Sequence, residues 1–174
     1  ATCYPRALYE ALEGYGGARL INPDKWFNWR LLGEATRICF VDAPLFAYRW
    51  HAQNQTAQQA ATGALKYLVD EYAMTLEVDS ALLAKAGVTR AQIEDAFVEY
   101  DVARHGLATL ARGDRARAKR ILAFGKATYP WRLRRNPRVR LLSIMISVGL
   151  LGGLLLRMLY KWRTHVHPTR AEVP

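Results

Sequence analysis

A chain of 174 residues leaves room for one ordinary domain and an appendage, and 51% hydrophobic against 23% charged residues excludes a disordered polymer. The formal charge of +10 belongs to one part of it: residues 1–103 carry 9 Lys/Arg against 13 Asp/Glu, and residues 104–174 carry 16 against 2. Only the second part is therefore basic enough to attract anionic lipid or nucleic acid.

The chain opens on ATCYPRALYEALEG, folded-looking sequence with no secretory signal pattern, which reads as a start inside a domain. Pro5 to Leu12 reads as a short helix, with Pro5 near its first turn and Gly14, Gly16 and Gly17 ending it. Residues 24–33, DKWFNWRLLG, form the next helix, with Asp24 at its positive end and Gly33 as its break. TRICFV then changes the period, predicting a short strand at 36–41. A turn at Asp42-Ala43-Pro44 leads to a second strand over Leu45–Trp50.

A polar linker, HAQNQTAQQ, feeds a helix from about Ala57 to Leu76, with Leu65, Leu68, Val69, Tyr72 and Leu76 on one broad face. Thr89 and Gln92 make a capping-box pair that opens a helix through about Ala103. Two further helices flank Gly113, and LATLARGDRARAKRILAFGKATYP reads as a helical hairpin, of the kind that packs in a small bundle or forms one repeat unit. Residues 141–160, LLSIMISVGLLGGLLLRMLY, contain 16 successive positions without an ionisable group. Twenty helical residues would span about 30 Å, near the thickness of a bilayer core. Arg132, Arg134, Arg135, Arg138 and Arg140 precede the run and Lys161 and Arg163 follow it, with Trp131, Tyr160 and Trp162 at its borders. Spanning, interfacial and protein-buried readings stay open, and the five-arginine flank favours the cytoplasmic face.

Cys3 and Cys39 sit in apolar stretches that suit small buried thiols, and no CxxC or Cys/His cluster points to zinc or iron–sulfur. P-loop, HExxH, nucleophile-elbow and dinucleotide motifs are absent. Taken singly, Asp24 suits a helix cap more than a base, His51 a surface loop or a ligand, and Arg49 a packed strand residue or a phosphate binder.

Taken in order, the residues of GYGGARLINPDKWFNWRLLGEATRICFVDAPLFAYRWHAQNQT say more. Gly16 and Gly17, Pro23-Asp24, Arg30-Leu31, strand 36–41, Pro44-Leu45 and Tyr48-Arg49-Trp50-His51 follow one another at characteristic spacing. Over residues 5–56 this order resembles the second half of the catalytic domain of family 2 inverting, nucleotide-sugar-dependent glycosyltransferases, of the GT-A type. The departures are Pro23-Asp24 in place of a Glu-Asp pair, and the absence of any Asp-x-Asp metal motif.

The resemblance implies an α/β fragment at 1–56, the second half of a GT-A-like nucleotide-sugar transferase domain. A mostly α-helical extension would follow at 57–130, then a basic-flanked hydrophobic C-terminal helix at 131–163 and a tail at 164–174. It implies Asp24 as catalytic base, and Gly16, Gly17, Trp26, Arg49 and Trp50 as substrate-binding residues. His51 would be a ligand to a divalent metal, Mn or Mg, whose main ligands lie upstream. The implied partners are a nucleotide-sugar donor, a glycan or lipid-linked acceptor, the upstream half of the same enzyme, and anionic membrane lipid at the cytoplasmic face. The competing class is a non-enzymatic, membrane-associated helical adaptor, which accounts for residues 57–174 but not for the ordered set from Gly16 to His51. Nucleic acid ranks third, because the basic region lacks interleaved aromatics and any recognisable RNA module.

Overall fold

The computed structural model describes residues 3–15, 23–34, 39 and 64–166. The chain divides into two compact units, Ala1–Arg90 and Ala91–Pro174.

In the first unit, helix α1 (Arg6–Ala11) follows Pro5, whose ring fixes a φ of −60° that suits helix entry. Helix α2 (Pro23–Glu34) starts with Pro23 and carries Asp24 in its first turn. Phe27 and Leu31, one turn apart, are buried with Leu12. The rings of Tyr4, Tyr15 and Tyr9 close around Phe27 at 4.8, 5.2 and 5.3 Å between centroids, in tilted or edge-on geometry.

Helix α3 (Ala64–Glu77) buries Leu68 and Met74, and also Glu71. The Lys25 ammonium donates to the Glu71 carboxylate, which compensates a buried charge and ties the first turn of α2 to α3. The Arg90 guanidinium donates to the carbonyls of Thr75 and Val78, satisfying main-chain acceptors at the end of α3. Helix α4 (Ser80–Ala86) begins at Asp79, whose side chain accepts from the Ala81 N–H at 3.0 Å, and stops at Gly87 in the left-handed region, φ 63°.

In the second unit, α5 (Arg90–Phe97) passes into a π-helical segment (Val98–Arg104) and then α6 (His105–Ala111), without leaving helical backbone. After Gly113, helix α7 (Arg115–Thr128) is capped by the Asp114 side chain, which accepts from the Arg117 N–H at 2.9 Å. Helices α8 (Pro130–Arg135) and α9 (Pro137–Ser147) each open on proline, whose missing N–H costs nothing there. Asn136 caps α9 by accepting from the N–H groups of Arg138 and Val139 at 2.9 and 3.0 Å. Helix α10 (Leu150–Val166) completes the unit. Its core is Val98, Val102, Leu110, Ile121 and Leu142, each essentially without solvent contact.

These findings correct the expected α/β fragment with a hydrophobic C-terminal helix. Among the described residues all regular structure is helical, with no strand and no sheet, so the layers are helix on helix. The stretches 36–41 and 45–50 expected as strands lie outside the described residues, apart from Cys39, which is in no regular element. The single apolar helix is also replaced. Gly149 takes φ 77° between α9 and α10, a conformation that interrupts the α-helical ladder. Leu142, Ile146 and Leu156 turn into the protein, leaving a one-sided apolar surface. Among the described residues no helix is long and apolar enough to cross a membrane. Cys3 and Cys39 are free and exposed rather than buried.

Candidate functional site

Helix α2 divides its residues between two jobs. Phe27 and Leu31 anchor it in the core, while Trp26, Trp29, Arg30 and Gly33 recur at i, i+3, i+4 and i+7 along a neighbouring stripe. That stripe forms one wall of a cleft of about 480 Å³, closed on the other side by Glu77, Asp79, Leu82 and Lys85 at the α3–α4 corner. The Lys85 ammonium donates to the Gly33 carbonyl at 2.7 Å and so bridges the walls. The Asp79 carboxylate is engaged as the α4 cap. Two half-buried indoles beside Arg30, Glu34 and Glu77 make a lining suited to a polar ring: flat apolar faces to stack on, and charged groups at the edge for hydroxyls.

Of the residues expected in the site, Asp24 lies exposed in the first turn of α2 and Trp26 lines the cleft half a turn later. Asp24 itself is not part of the lining. Gly16, Gly17, Arg49, Trp50 and His51 lie outside the described residues. Sequence reasoning missed Trp29, Glu77 and Lys85. The stripe at 26, 29, 30 and 33 was the signal for Trp29, whereas the contributions of α3 and α4 have none. Among the described residues no three or more His, Cys, Asp or Glu side chains cluster to hold a metal ion. The lining residues can stack on a ring through Trp26 and Trp29 and hydrogen-bond to it through Arg30, Glu34 and Glu77.

A second cavity, of about 670 Å³, lies within the other unit and includes Glu94, Asp95, Glu99, Tyr129, Trp131 and Arg132 in its lining. Its charges are largely paired. Arg132 donates to Glu94 at 2.6 Å and to Asp95 at 2.8 Å, while Glu99 accepts from Arg104 at 2.9 Å, Asn136 at 3.0 Å and Arg138. Burial alone would push the Glu99 carboxyl up, but the hydrogen bonds from Asn136 and Arg104 and the charges of Arg138 and Arg104 outweigh it and hold it below the ordinary range. At half-buried His105, burial comes first and the charges of Arg117 and Arg112 act with it, all disfavouring the imidazolium.

Both shifts remove stability on the acid side. Below the ordinary histidine value of 6.5 the unfolded chain takes up a proton that folded His105 resists, so stability falls as pH drops through that value. Glu99 stabilises the fold above its ordinary 4.5, and that contribution is lost as pH falls further, through its lowered folded value. Thermal melts should therefore decline from pH 7.5 to pH 3 in two stages, the first entered near the ordinary histidine value and the second below the ordinary carboxylate value. His105→Asn should flatten the upper stage and Glu99→Gln the lower one. A melting temperature independent of pH would refute both assignments.

No known family, curated protein or solved structure matches this chain.

Proposed function

We propose that the chain supplies the acceptor-facing residues of an inverting glycosyltransferase, which moves a sugar from a nucleotide-sugar donor to a glycan or lipid-linked acceptor hydroxyl. The observation that carries this reading is the ordered set Pro23-Asp24, Arg30-Leu31, Pro44-Leu45 and Tyr48-Arg49-Trp50-His51. The solvent-facing carboxylate of Asp24, two residues before a tryptophan that lines a ring-sized cleft, supports it.

In the proposed reaction the acceptor stacks against Trp26 and Trp29 with its nucleophilic hydroxyl directed to Asp24. The Asp24 carboxylate takes the hydroxyl proton as the oxygen forms its bond to the anomeric carbon. The bond from that carbon to the nucleotide diphosphate breaks on the opposite side, and its electron pair leaves with the diphosphate. Holding the two oxygens in line is the larger part of the task, since positioning supplies most of the advantage over reaction in solution. The reading places donor binding, and the Mn or Mg ion that would serve it, in sequence preceding Ala1.

The test is transfer of labelled sugar from a panel of nucleotide-sugar donors, comparing residues 1–174 with the same chain joined to its upstream sequence. The joined protein should turn over, and residues 1–174 alone should not. A folded joined protein that neither binds nor consumes any nucleotide sugar would refute the proposal.

A further inference from the structure

The α9–α10 hairpin presents an apolar surface that the second unit does not use. On α10, Leu151, Leu154, Leu155 and Met158 recur at i, i+3, i+4 and i+7, and Leu151 and Met158 are 65% and 69% exposed. Gly152 and Leu156 on the same helix face inward. Leu141 and Ile144 of α9 and Val148, which follows it, are exposed as well. One helix face thus closes the core, and the other offers leucine and methionine to whatever lies outside.

The charge around this surface identifies its occupant. From Asp114 to Glu172 the sequence has 14 Lys/Arg and no intervening Asp/Glu. Some of those cations serve the fold itself: Arg132 holds Glu94 and Asp95, Arg138 holds Glu99, and Arg115 and Arg157 donate to the carbonyls of Ile146 and Ala111. Arg134, Arg135 and Arg140 are different. All three are exposed, and among the described residues no carboxylate pairs with them. Arg134 lies over the ring of Trp131, which is 74% exposed, and Arg140 donates to the Arg134 carbonyl, so these two cations form one patch leading into α9. Arg135, next to Arg134 in sequence, stands on the lining of the cavity that also holds Glu94, Asp95 and Glu99.

Helix α10 has 17 residues and would span about 25 Å, short of a hydrocarbon core of about 30 Å. A one-sided apolar helix with arginines and an exposed indole nearby suits the boundary between lipid headgroups and acyl chains. An apolar protein groove would satisfy the leucines but leave the unpaired arginines without a counter-charge.

We propose that the α9–α10 hairpin lies in the plane of an anionic bilayer surface, with its leucine and methionine stripe in the acyl boundary and Arg134, Arg135 and Arg140 on lipid phosphates. This does not rest on the proposed transferase activity, and its readout is lipid binding alone.

Flotation of the full chain with phosphatidylcholine vesicles, with and without phosphatidylglycerol, tests it. The chain should float with the anionic vesicles and bind them at least about 10-fold more tightly than the neutral ones. Arg134→Gln with Arg135→Gln should weaken anionic binding roughly 10- to 30-fold at low salt, at about 5-fold for each cation. Leu151→Gln with Met158→Gln should weaken binding about 30-fold while helical circular dichroism and melting temperature stay as in the parent chain. The arginine pair provides an independent variant should the other fail to fold. Equal binding to both vesicle types, binding to neither, or undiminished binding by either folded variant would overturn the proposal. A dimer in sedimentation that Leu151→Gln with Met158→Gln dissolves, in protein that does not float, would assign the face to a second copy instead.

Discussion

Asp24→Asn is expected to lower sugar turnover about 1,000-fold in the chain joined to its upstream sequence, within the range that a single general base contributes. The substitution keeps the side chain's size and removes its capacity to accept a proton. Asp24 is exposed at the start of α2 and lines neither of the two cavities described above, so the folded state loses little beyond the favourable placement of an anion near a helix N-terminus, about 0.5 kcal/mol. Nucleotide affinity should be nearly unchanged, because the proposed contact forms with the acceptor proton in the transition state. Trp26→Ala should give the opposite pattern, raising the acceptor KM more than it lowers kcat, since stacking holds ground state and transition state alike. Turnover, nucleotide affinity and melting temperature measured on the same proteins separate these roles. Full turnover by folded Asp24→Asn would eliminate the proposed base, whereas parallel loss of stability and donor binding would make Asp24 structural.

The largest stability effect is expected at Gly152. A Cβ there would overlap the Met145 carbonyl oxygen and lie 2.8 Å from its carbonyl carbon and 3.0 Å from its Cα. These are backbone atoms of α9 and cannot rotate away as a side chain could. Relief requires α10 to shift from α9, disturbing the burial of Leu142, Ile146 and Leu156. Overpacking of this kind costs about 1–3 kcal/mol, and the backbone obstacle places Gly152→Ala at the upper end, even after the helical preference for alanine is counted. At this chain length that lowers the melting temperature by about 6–10 °C. At the adjacent Gly153 the nearest atom to an added Cβ is the Leu110 carbonyl oxygen at 3.4 Å, an ordinary contact. Gly153→Ala should therefore be neutral or stabilising, by up to about 1 kcal/mol. Paired melts check the contrast, and a Gly152→Ala protein as stable as its parent would show that the hairpin packs otherwise.

Helix starts were the most legible part of the fold, because the signals that open a helix are local. Pro23-Asp24 opens α2, and α5 begins at Arg90, immediately after the Thr89 expected to cap it. Helix ends proved harder. Gly33 suggested a stop, yet α2 continues through Glu34, and Lys85 from 52 residues away donates to the Gly33 carbonyl. The short helix α4 has a clear Asp79 cap and Gly87 exit, but seven residues are too few for periodicity to reveal it. Hydropathy at 141–160 registered the apolar residues without the reversal at Gly149 that divides them into inward and outward sets. The arginines before that run looked alike in sequence, and Arg132 and Arg138 differ from Arg134 only because their acidic partners lie 37 to 39 residues away. The same limit applies to the site. Asp24 and Trp26 stood out within one helix, whereas the opposite wall of the cleft comes from residues about 50 positions later that only the tertiary fold brings near.

The π-helical segment gives the second unit a means of setting rotational phase. Each of its hydrogen-bonded turns encloses one more residue than an α-turn, so side chains beyond it are rotated by about 100°, one residue's step around an α-helix. Before the segment, Glu94 and Asp95 meet Arg132, and after it Gly106, Leu107 and Leu110 enter the core. An unbroken rod from Arg90 to Ala111 thereby carries an ionic side and an apolar side whose relative angle depends on how many residues the wide turns contain. Loss of one residue between Val98 and Arg104, taken up as a return to α-helical winding, would leave the rod straight and continuous but turn Gly106 away from Leu142, against which it packs. The number of residues in this segment, more than the identity of any one side chain, decides what the following helix buries.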